Sequence, residues 1–187
     1  MPNSWDPDIY SRAWDYATLA HEGQTYGGAE EGVQVPYINH VASVAMEVVC
    51  ALIHTDEQLD ANLAVQCALL HDVVEDTSIG YHELVDSFGL SVADGVQALT
   101  KDFQLTTKRE QMADSVKRIQ QQPKEIWIVK LADRVSNLYR PPFFWDQERI
   151  SYYRDESQFI LSELGECNAI LHSRLRKKIE EYGDFLR

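Results

Sequence analysis

Residues 60–77, DANLAVQCALLHDVVEDT, are the stretch that decides the fold. Polar residues open it, and the part from Ala64 to Leu70 is apolar on nearly every side. A helix of this composition buries most of its surface. We therefore predict a central helix from Asp60 to Val74.

Four ionisable side chains follow the apolar part of this stretch: His71, Asp72, Glu75 and Asp76. At 3.6 residues per turn, a continuous helix stacks His71 with Glu75 and Asp72 with Asp76. A buried, unpaired charge costs several kcal/mol, so an inward-facing cluster needs a metal ion or strong ionic partners. The alternative is a solvated helix end, where acidic residues are common.

The rest of the chain shows helical periodicity, with no convincing run of alternating β-branched residues. We predict an all-α fold, a single helical bundle of about eight to ten helices in one domain spanning residues 1–187. The glycine-rich segment from Thr25 to Pro36 reads as an irregular loop. The predicted helices cover about residues 7–24, 38–53, 60–74, 81–87, 91–99, 108–122, 124–138, 146–164 and 166–182.

Composition and net charge argue against several classes of function. Apolar residues make up 44% of the 187 residues and charged residues 25%, as in ordinary globular proteins. The net charge of −13 repels phosphate backbones, so we expect no nucleic-acid partner. The sequence has neither an apolar run of about 20 residues nor a secretory signal, which predicts a cytoplasmic protein with no membrane partner. A small phosphorylated ligand stays compatible, because a metal and a few Lys or Arg residues reverse the local potential.

A second polar face lies in residues 125–137, EIWIVKLADRVSN. Lys130, Asp133, Arg134 and Asn137 fall at i, i+3, i+4 and i+7, which makes a narrow polar stripe on a strongly apolar helix. The stripe is either a site or the solvent face of an amphipathic helix.

A third element is PYINH, residues 36–40, which places His40 in the first turns of an apolar helix. Taken alone, a histidine in this position is more typical of a satisfied core or capping residue than of a metal ligand. Together, the three elements supply two imidazoles and two carboxylates, from His40, His71, Asp72 and Asp133. A mixed nitrogen and oxygen site of this kind suits Mn²⁺, Fe²⁺ or Zn²⁺ and leaves positions open for water and substrate.

At this point the sequence resembles a known family, the HD-domain metallohydrolases, whose ligands follow the order H…HD…D. Within that family it is most similar to the hydrolase domain of the RelA/SpoT homologues and to the free-standing small alarmone hydrolases. The resemblance covers about residues 10–164 and leaves out the C-terminal helix at 166–182. Its motifs are AHEGQ (20–24), PYINH (36–40), ALLHDVVEDT (68–77), FG (88–89), LTK (99–101) and VKLADRVSNL (129–138).

The resemblance implies an HD-domain helical bundle that hydrolyses the 3′-pyrophosphate of guanosine tetra- and pentaphosphate with one Mn²⁺ ion. It makes His40, His71, Asp72 and Asp133 the metal ligands. It makes Glu75 and Asp76 the catalytic residues that orient or activate the attacking water. Two other interpretations stay open, an HD phosphohydrolase of another phosphorylated nucleotide or cofactor, and a non-catalytic binding or neutralising partner.

The resemblance also assigns substrate contacts. Asn137 matches the asparagine that contacts the nucleoside in the family. The sequence leaves the oligomeric state open. Candidates for phosphate contacts or ion pairs are Lys101, Lys130, Arg134 and Arg154. Many relatives carry a basic pair after the motif glutamine, where this chain has Thr25 and Tyr26 followed by glycines and acids. We count Thr25 among the substrate-binding candidates, and the altered loop leads us to the hypothesis that an adenosine analogue equals or exceeds the guanosine substrate.

Overall fold

The computed structural model describes residues 4–28 and 30–186. Within these residues the chain forms ten α-helices and one two-stranded sheet, so the predicted all-α class is confirmed. The helices are α1 (Pro7–Ala20), α2 (Ile38–Ile53), α3 (Ala61–Leu70), α4 (Val73–Asp76), α5 (Tyr81–Phe88), α6 (Leu90–Leu99), α7 (Lys108–Ile119), α8 (Lys124–Asn137), α9 (Gln147–Leu164) and α10 (Ala169–Tyr182).

Helix α3 occupies the centre, where it packs against α1, α2, α6 and α8. Its residues from Ala64 to Leu70 are almost all fully buried, as the apolar run predicts. The Asp60 side chain accepts a hydrogen bond from the Leu63 amide at 3.0 Å and caps the N-terminus. Each buried leucine contributes about 1.5–3 kcal/mol of transfer free energy, so α3 anchors the elements that carry the site.

The predicted end of the central helix is wrong. Helix α3 ends at Leu70, His71 and Asp72 form a turn, and α4 begins at Val73. At the break, the His71 ring nitrogen Nδ1 donates to the Ala68 carbonyl at 2.8 Å. A side-chain bond to a nearby carbonyl competes with the regular helical ladder. The metal-ligand candidates therefore sit at a helix break rather than on one face of a continuous helix.

The predicted loop from Thr25 to Pro36 is also corrected. It contains an antiparallel pair of strands, β1 (Thr25–Gly27) and β2 (Gln34–Pro36), with Tyr26 opposite Val35. Three-residue strands are too short to show a period of two in the sequence. This hairpin leads directly into α2 and places its first turn.

Three further helix ends differ from their predicted positions by three residues or more. Helix α1 stops at Ala20 rather than Gln24, and the turn that follows contains Gly23 at a φ of +75°. Helix α7 stops at Ile119 rather than at residue 122. Helix α10 begins at Ala169 rather than at residue 166, because a 3₁₀ turn precedes it and Asn168 caps it by accepting from two amides. No helix in the described part of the chain combines the length and apolarity that crossing a bilayer requires.

Candidate active site

Three elements bring four candidate metal ligands together. His40 comes from the first turn of α2, His71 and Asp72 from the break after α3, and Asp133 from α8. His40 Nε2 lies 3.3 Å from His71 Nε2 and 3.4 Å from Asp133 Oδ1. His71 Nε2 lies 2.9 Å from Asp72 Oδ2 and 3.9 Å from Asp133 Oδ1.

These four side chains fit a divalent metal. Donor atoms about 2.1 Å from one ion lie about 3 to 4 Å from one another. The ligand atoms of His40, His71 and Asp72 all lie within 4.8 Å of one another, and Asp133 Oδ1 flanks this set at 3.4 and 3.9 Å from the two imidazoles. Because His71 donates through Nδ1 to the Ala68 carbonyl, its Nε2 carries a lone pair when the ring is neutral. That lone pair, the second imidazole and the two carboxylates form a convergent set of acceptors, which favours a cation between them.

The pKa of His71 reflects the same preference for positive charge. Burial alone lowers the pKa of this imidazole, but the charge and hydrogen bond of Asp72, with the charge of Asp133, raise it to about 9. The pKa of Asp133 is well below its usual range although burial opposes the shift, chiefly because Lys130 is close by.

Two neighbours on α8 hold Asp133 in place. The Lys130 ammonium lies 3.1 Å from Asp133 Oδ2, and the Asn137 amide donates to Asp133 Oδ1 at 2.5 Å. Lys130 is only 5% exposed. Of the two roles expected for Lys130, the structure contains the ion pair, which orients the Asp133 carboxylate.

Glu75 and Asp76, the candidate catalytic residues, lie on α4 at the edge of the group of candidate metal ligands. Glu75 is held by Lys101 through both oxygens, at 2.5 Å from the ammonium and 2.8 Å from the backbone amide. Asp76 lies 3.1 Å from the Tyr37 hydroxyl, which also donates to Asp72. Partial burial and the nearby charge of Asp72 raise the pKa of Asp76.

Three of the predicted substrate contacts have protein partners in the structure, and one of them, Arg134, also lines the cavity of the ligand candidates. Arg134 is 3% exposed and is paired with Glu156 at 2.7 Å, with its guanidinium 4.2 Å from the centre of the Tyr153 ring. Arg154 turns to α10, where its Nε donates to the Ile179 carbonyl at 3.4 Å. Thr25 is exposed and bonds Gln34 across the hairpin at 3.0 Å. Sequence spacing could not have predicted these contacts of Arg134, Arg154 and Thr25.

Two adjoining cavities surround these residues. A cavity of about 200 Å³ contains the four ligand candidates with Glu75, Asp76, Lys101 and Lys130. A larger cavity of about 670 Å³ lies beside it, and Tyr37, His40 and Asn137 line both. The larger cavity is lined mainly by aromatic, amide and hydroxyl side chains, with two arginines among them. Its lining includes Tyr26, Asn39, Ser43, Ser136, Phe144, Arg140 and Arg149.

Sequence reasoning missed Tyr37 and Glu156 as parts of this site. Tyr37 precedes His40 by three residues at the start of α2, so helical spacing alone could have placed it on the same side as the ligand. Glu156 lies in a region with no motif, and only its ion pair with Arg134 reveals it.

The comparisons with known proteins agree with this geometry. The family model described as an HD domain matches residues 13–164. The guanosine-3′,5′-bis(diphosphate) 3′-pyrophosphohydrolase MESH1 of Danio rerio is 32% identical over 173 residues, which are 90% of this chain and 91% of that protein. The protein of the same name from Drosophila melanogaster is 30% identical over 172 residues, with the same two coverages.

A solved structure is also similar, that of a metazoan orthologue of SpoT described as hydrolysing ppGpp. It superposes with a TM-score of 0.80 at 27% identity, over 96% of this chain and 98% of that one. The matched region agrees with the resemblance expected over about residues 10–164. The chain belongs to the HD-domain family.

Proposed function

We propose that this protein is a Mn²⁺-dependent hydrolase that removes the 3′-pyrophosphate from guanosine 3′,5′-bis(diphosphate). The observation that carries the proposal is the pair of adjoining cavities, one built of metal ligands and carboxylates and one with the size and chemistry for a nucleoside. The relatives in Danio rerio and Drosophila melanogaster, which span almost the same length, are named for this reaction.

In this proposal His40, His71, Asp72 and Asp133 hold the ion. A divalent metal there supplies Lewis-acid polarisation of the phosphate and makes water more acidic. Lys130 and Asn137 keep Asp133 turned toward the two imidazoles. Asn137 also lines both cavities, which supports a contact between its side chain and the ribose next to the 3′-phosphate.

The two carboxylates on α4 take different roles. Glu75 has both oxygens engaged by Lys101, so it is rigid and suited to orient a water molecule. Asp76, whose carboxylate lines the same cavity beside the Tyr37 hydroxyl, is the proton acceptor in this proposal. Lys101 is the phosphate-facing cation of the four proposed, because its side chain remains 32% exposed at the cavity.

The larger cavity supports a purine without fixing which one. Within the described residues its lining holds no Asp or Glu to accept from the N1 and N2 hydrogens of guanine. The hydroxyls of Tyr26 and Ser136 and the amide of Asn39 can each donate or accept, so they match either purine edge. On this basis the adenosine analogue is a substrate comparable to the guanosine nucleotide.

The test is product analysis with the two nucleotides side by side. The Mn²⁺-loaded protein is incubated with guanosine and with adenosine 3′,5′-bis(diphosphate), and pyrophosphate and 5′-diphosphate are separated by anion exchange. We expect release from both, with rates within about tenfold of each other. Asp72→Ala is the control, since release must depend on a metal ligand.

Each outcome decides a part of the proposal. Release from the guanosine nucleotide alone overturns the adenosine claim and keeps the reaction. Release from neither overturns the alarmone assignment and favours an HD phosphohydrolase of another phosphorylated nucleotide. If no phosphorylated nucleotide that is tried is hydrolysed but one of them binds tightly, the result favours a non-catalytic binding or neutralising protein.

A further inference from the structure

The Tyr37 side chain stands between the metal ligands and the α4 carboxylate that is not a ligand. Its hydroxyl donates to Asp72 Oδ2, the same oxygen that faces His71 at 2.9 Å. The hydroxyl is also 3.1 Å from Asp76 Oδ2. The single hydroxyl hydrogen of Tyr37 is thus shared between two carboxylate oxygens, and it links the candidate ligand Asp72 to Asp76.

The ring of Tyr37 is fixed by packing that does not involve the hydroxyl. The ring centroids of His21, His40 and Tyr26 lie 4.8, 5.5 and 6.4 Å from that of Tyr37. Because these contacts are made by the ring alone, a phenylalanine at this position keeps them. The role of the hydroxyl is therefore separable from the role of the ring.

Gln24 ties the same two segments together from behind the site. Its side-chain amide donates to the Asp76 carbonyl at 2.8 Å, and its backbone carbonyl accepts from the Tyr37 amide at 2.9 Å. The buried His21 ring bonds the Gln24 side-chain oxygen at 2.8 Å and so fixes which end of the amide faces Asp76. The link between the start of α2 and the end of α4 is thus made twice, once by a hydroxyl and once by an amide.

We propose that Tyr37 and Gln24 are positioning residues that hold Asp76 at a fixed place relative to the metal ligand Asp72. Tyr37 orients the liganding oxygen and Asp76 together, whereas Gln24 acts on the backbone of Asp76 alone. This inference rests on the proposed function for its kinetic part. Its metal-binding part does not depend on the substrate.

The first variant is Tyr37→Phe, which removes one oxygen atom. Losing a partner of a metal ligand typically costs 10- to 100-fold in metal affinity or activity. We expect Mn²⁺ affinity, measured by calorimetry on the metal-free protein, to weaken by about tenfold, and kcat at saturating Mn²⁺ to fall by about tenfold or more with KM within about twofold.

The matched control is Tyr81→Phe. Tyr81 donates its hydroxyl to Asp94 at 2.7 Å on α5 and α6, so this variant loses the same kind of bond to a carboxylate away from both cavities. It should leave Mn²⁺ affinity, kcat and KM unchanged. A loss shared by both variants would overturn the assignment and point to a general effect of removing a hydroxyl.

Gln24→Met keeps the side-chain length and removes the amide. We expect a smaller fall in kcat, about threefold to tenfold, with Mn²⁺ affinity unchanged because Asp72 keeps its hydroxyl partner. In the double variant, which combines Tyr37→Phe with Gln24→Met, the fold reduction in kcat should be smaller than the product of the fold reductions in the two single variants. The reason is that both residues act on Asp76. Strict multiplicativity would overturn the idea of one positioning unit.

Metal affinity separates failure of this inference from failure of the proposed function. If the wild type hydrolyses neither alarmone, the weakened Mn²⁺ affinity of Tyr37→Phe still supports the link to Asp72, and an unchanged affinity overturns it. If the wild type is active and Tyr37→Phe retains both kcat and affinity within twofold, the inference is wrong. Should Tyr37→Phe fail to fold, Gln24→Met decides by the same split between kcat and metal affinity.

Discussion

The two adjoining cavities differ in how their side chains are held. The smaller cavity, which contains the four ligand candidates, is called the metal cavity here. In it Glu75 forms an ion pair with Lys101, and Asp133 forms one with Lys130. In the larger cavity the walls are rings, hydroxyls and amides, and its cations, Arg140 and Arg149, stand among these neutral groups. The first is about 200 Å³ and the second about 670 Å³.

This difference separates the reaction from the choice of substrate. The smaller cavity holds the groups that the proposed reaction uses directly, whereas the larger cavity offers neutral hydrogen bonds, each of which contributes about 0.5–1.5 kcal/mol. Changes in the metal cavity should therefore abolish the chemistry. Changes in the larger cavity should alter substrate affinity by smaller factors.

Asp72→Ala should have the largest effect. It removes the proposed ligand oxygen, which lies 2.9 Å from His71 and 3.7 Å from His40. We expect Mn²⁺ retention after gel filtration to be lost and pyrophosphate release to fall to the level of buffer, because the remaining ligands no longer surround the ion. Full activity with metal retained would refute Asp72 as a ligand and break the contrast between the cavities.

The second largest effect is expected for Glu75→Gln, which separates metal binding from catalysis within the metal cavity. Its amide keeps the size of the side chain but loses the charge that Lys101 engages. We expect metal content, measured by atomic absorption, to be unchanged while kcat falls by about 10²- to 10⁴-fold. Loss of metal instead would make Glu75 a ligand. The matched variant is Asp76→Asn, which should keep metal equally well and also reduce kcat.

One side of the metal cavity was predictable from the sequence, because Asp133 and its neighbours lie on a regular helix. On α8 an unbroken helix keeps Lys130, Asp133 and Asn137 on one face, as their spacing predicts, and the bonds to Asp133 confirm that these three side chains meet. The same reasoning was wrong after Leu70, because a side-chain bond from His71 ends α3 there. The residues still converge, but through a turn.

The larger cavity was much less predictable. Its wall includes the hairpin of β1 and β2, whose strands are too short to leave a pattern, and residues beyond α8 such as Phe144. Contacts of this kind join segments far apart in the chain, and no local propensity encodes them. The role of Tyr37 likewise depends on Asp72, which is 35 residues away.

Gly27→Ala sharpens the comparison from the side of the larger cavity. An added Cβ would lie 3.1 Å from the Phe144 ring, so the ring or the hairpin must shift and the cavity wall changes shape. We expect KM to rise about threefold to tenfold with metal affinity and kcat unchanged. Gly80→Ala adds the same methyl group where the nearest atom is 4.0 Å away, and it should change none of these constants. A fall in kcat without a change in KM would contradict the division between the cavities.

Arg154→Met should have the smallest effect, and it tests a residue that sequence resemblance assigned to the substrate. Arg154 bonds the Ile179 carbonyl at 3.4 Å, and its guanidinium lies beside Gly183, so it joins α9 to the end of α10. Methionine keeps most of the apolar stem and removes one hydrogen bond, which lowers the free energy of unfolding by about 0.5–1.5 kcal/mol. Thermal denaturation should record that loss while kcat and KM stay within twofold of wild type. A large rise in KM for the 3′,5′-bis(diphosphate) nucleotides would show that Arg154 leaves α10 to reach the phosphates, and the boundary of the substrate cavity would then extend along α9.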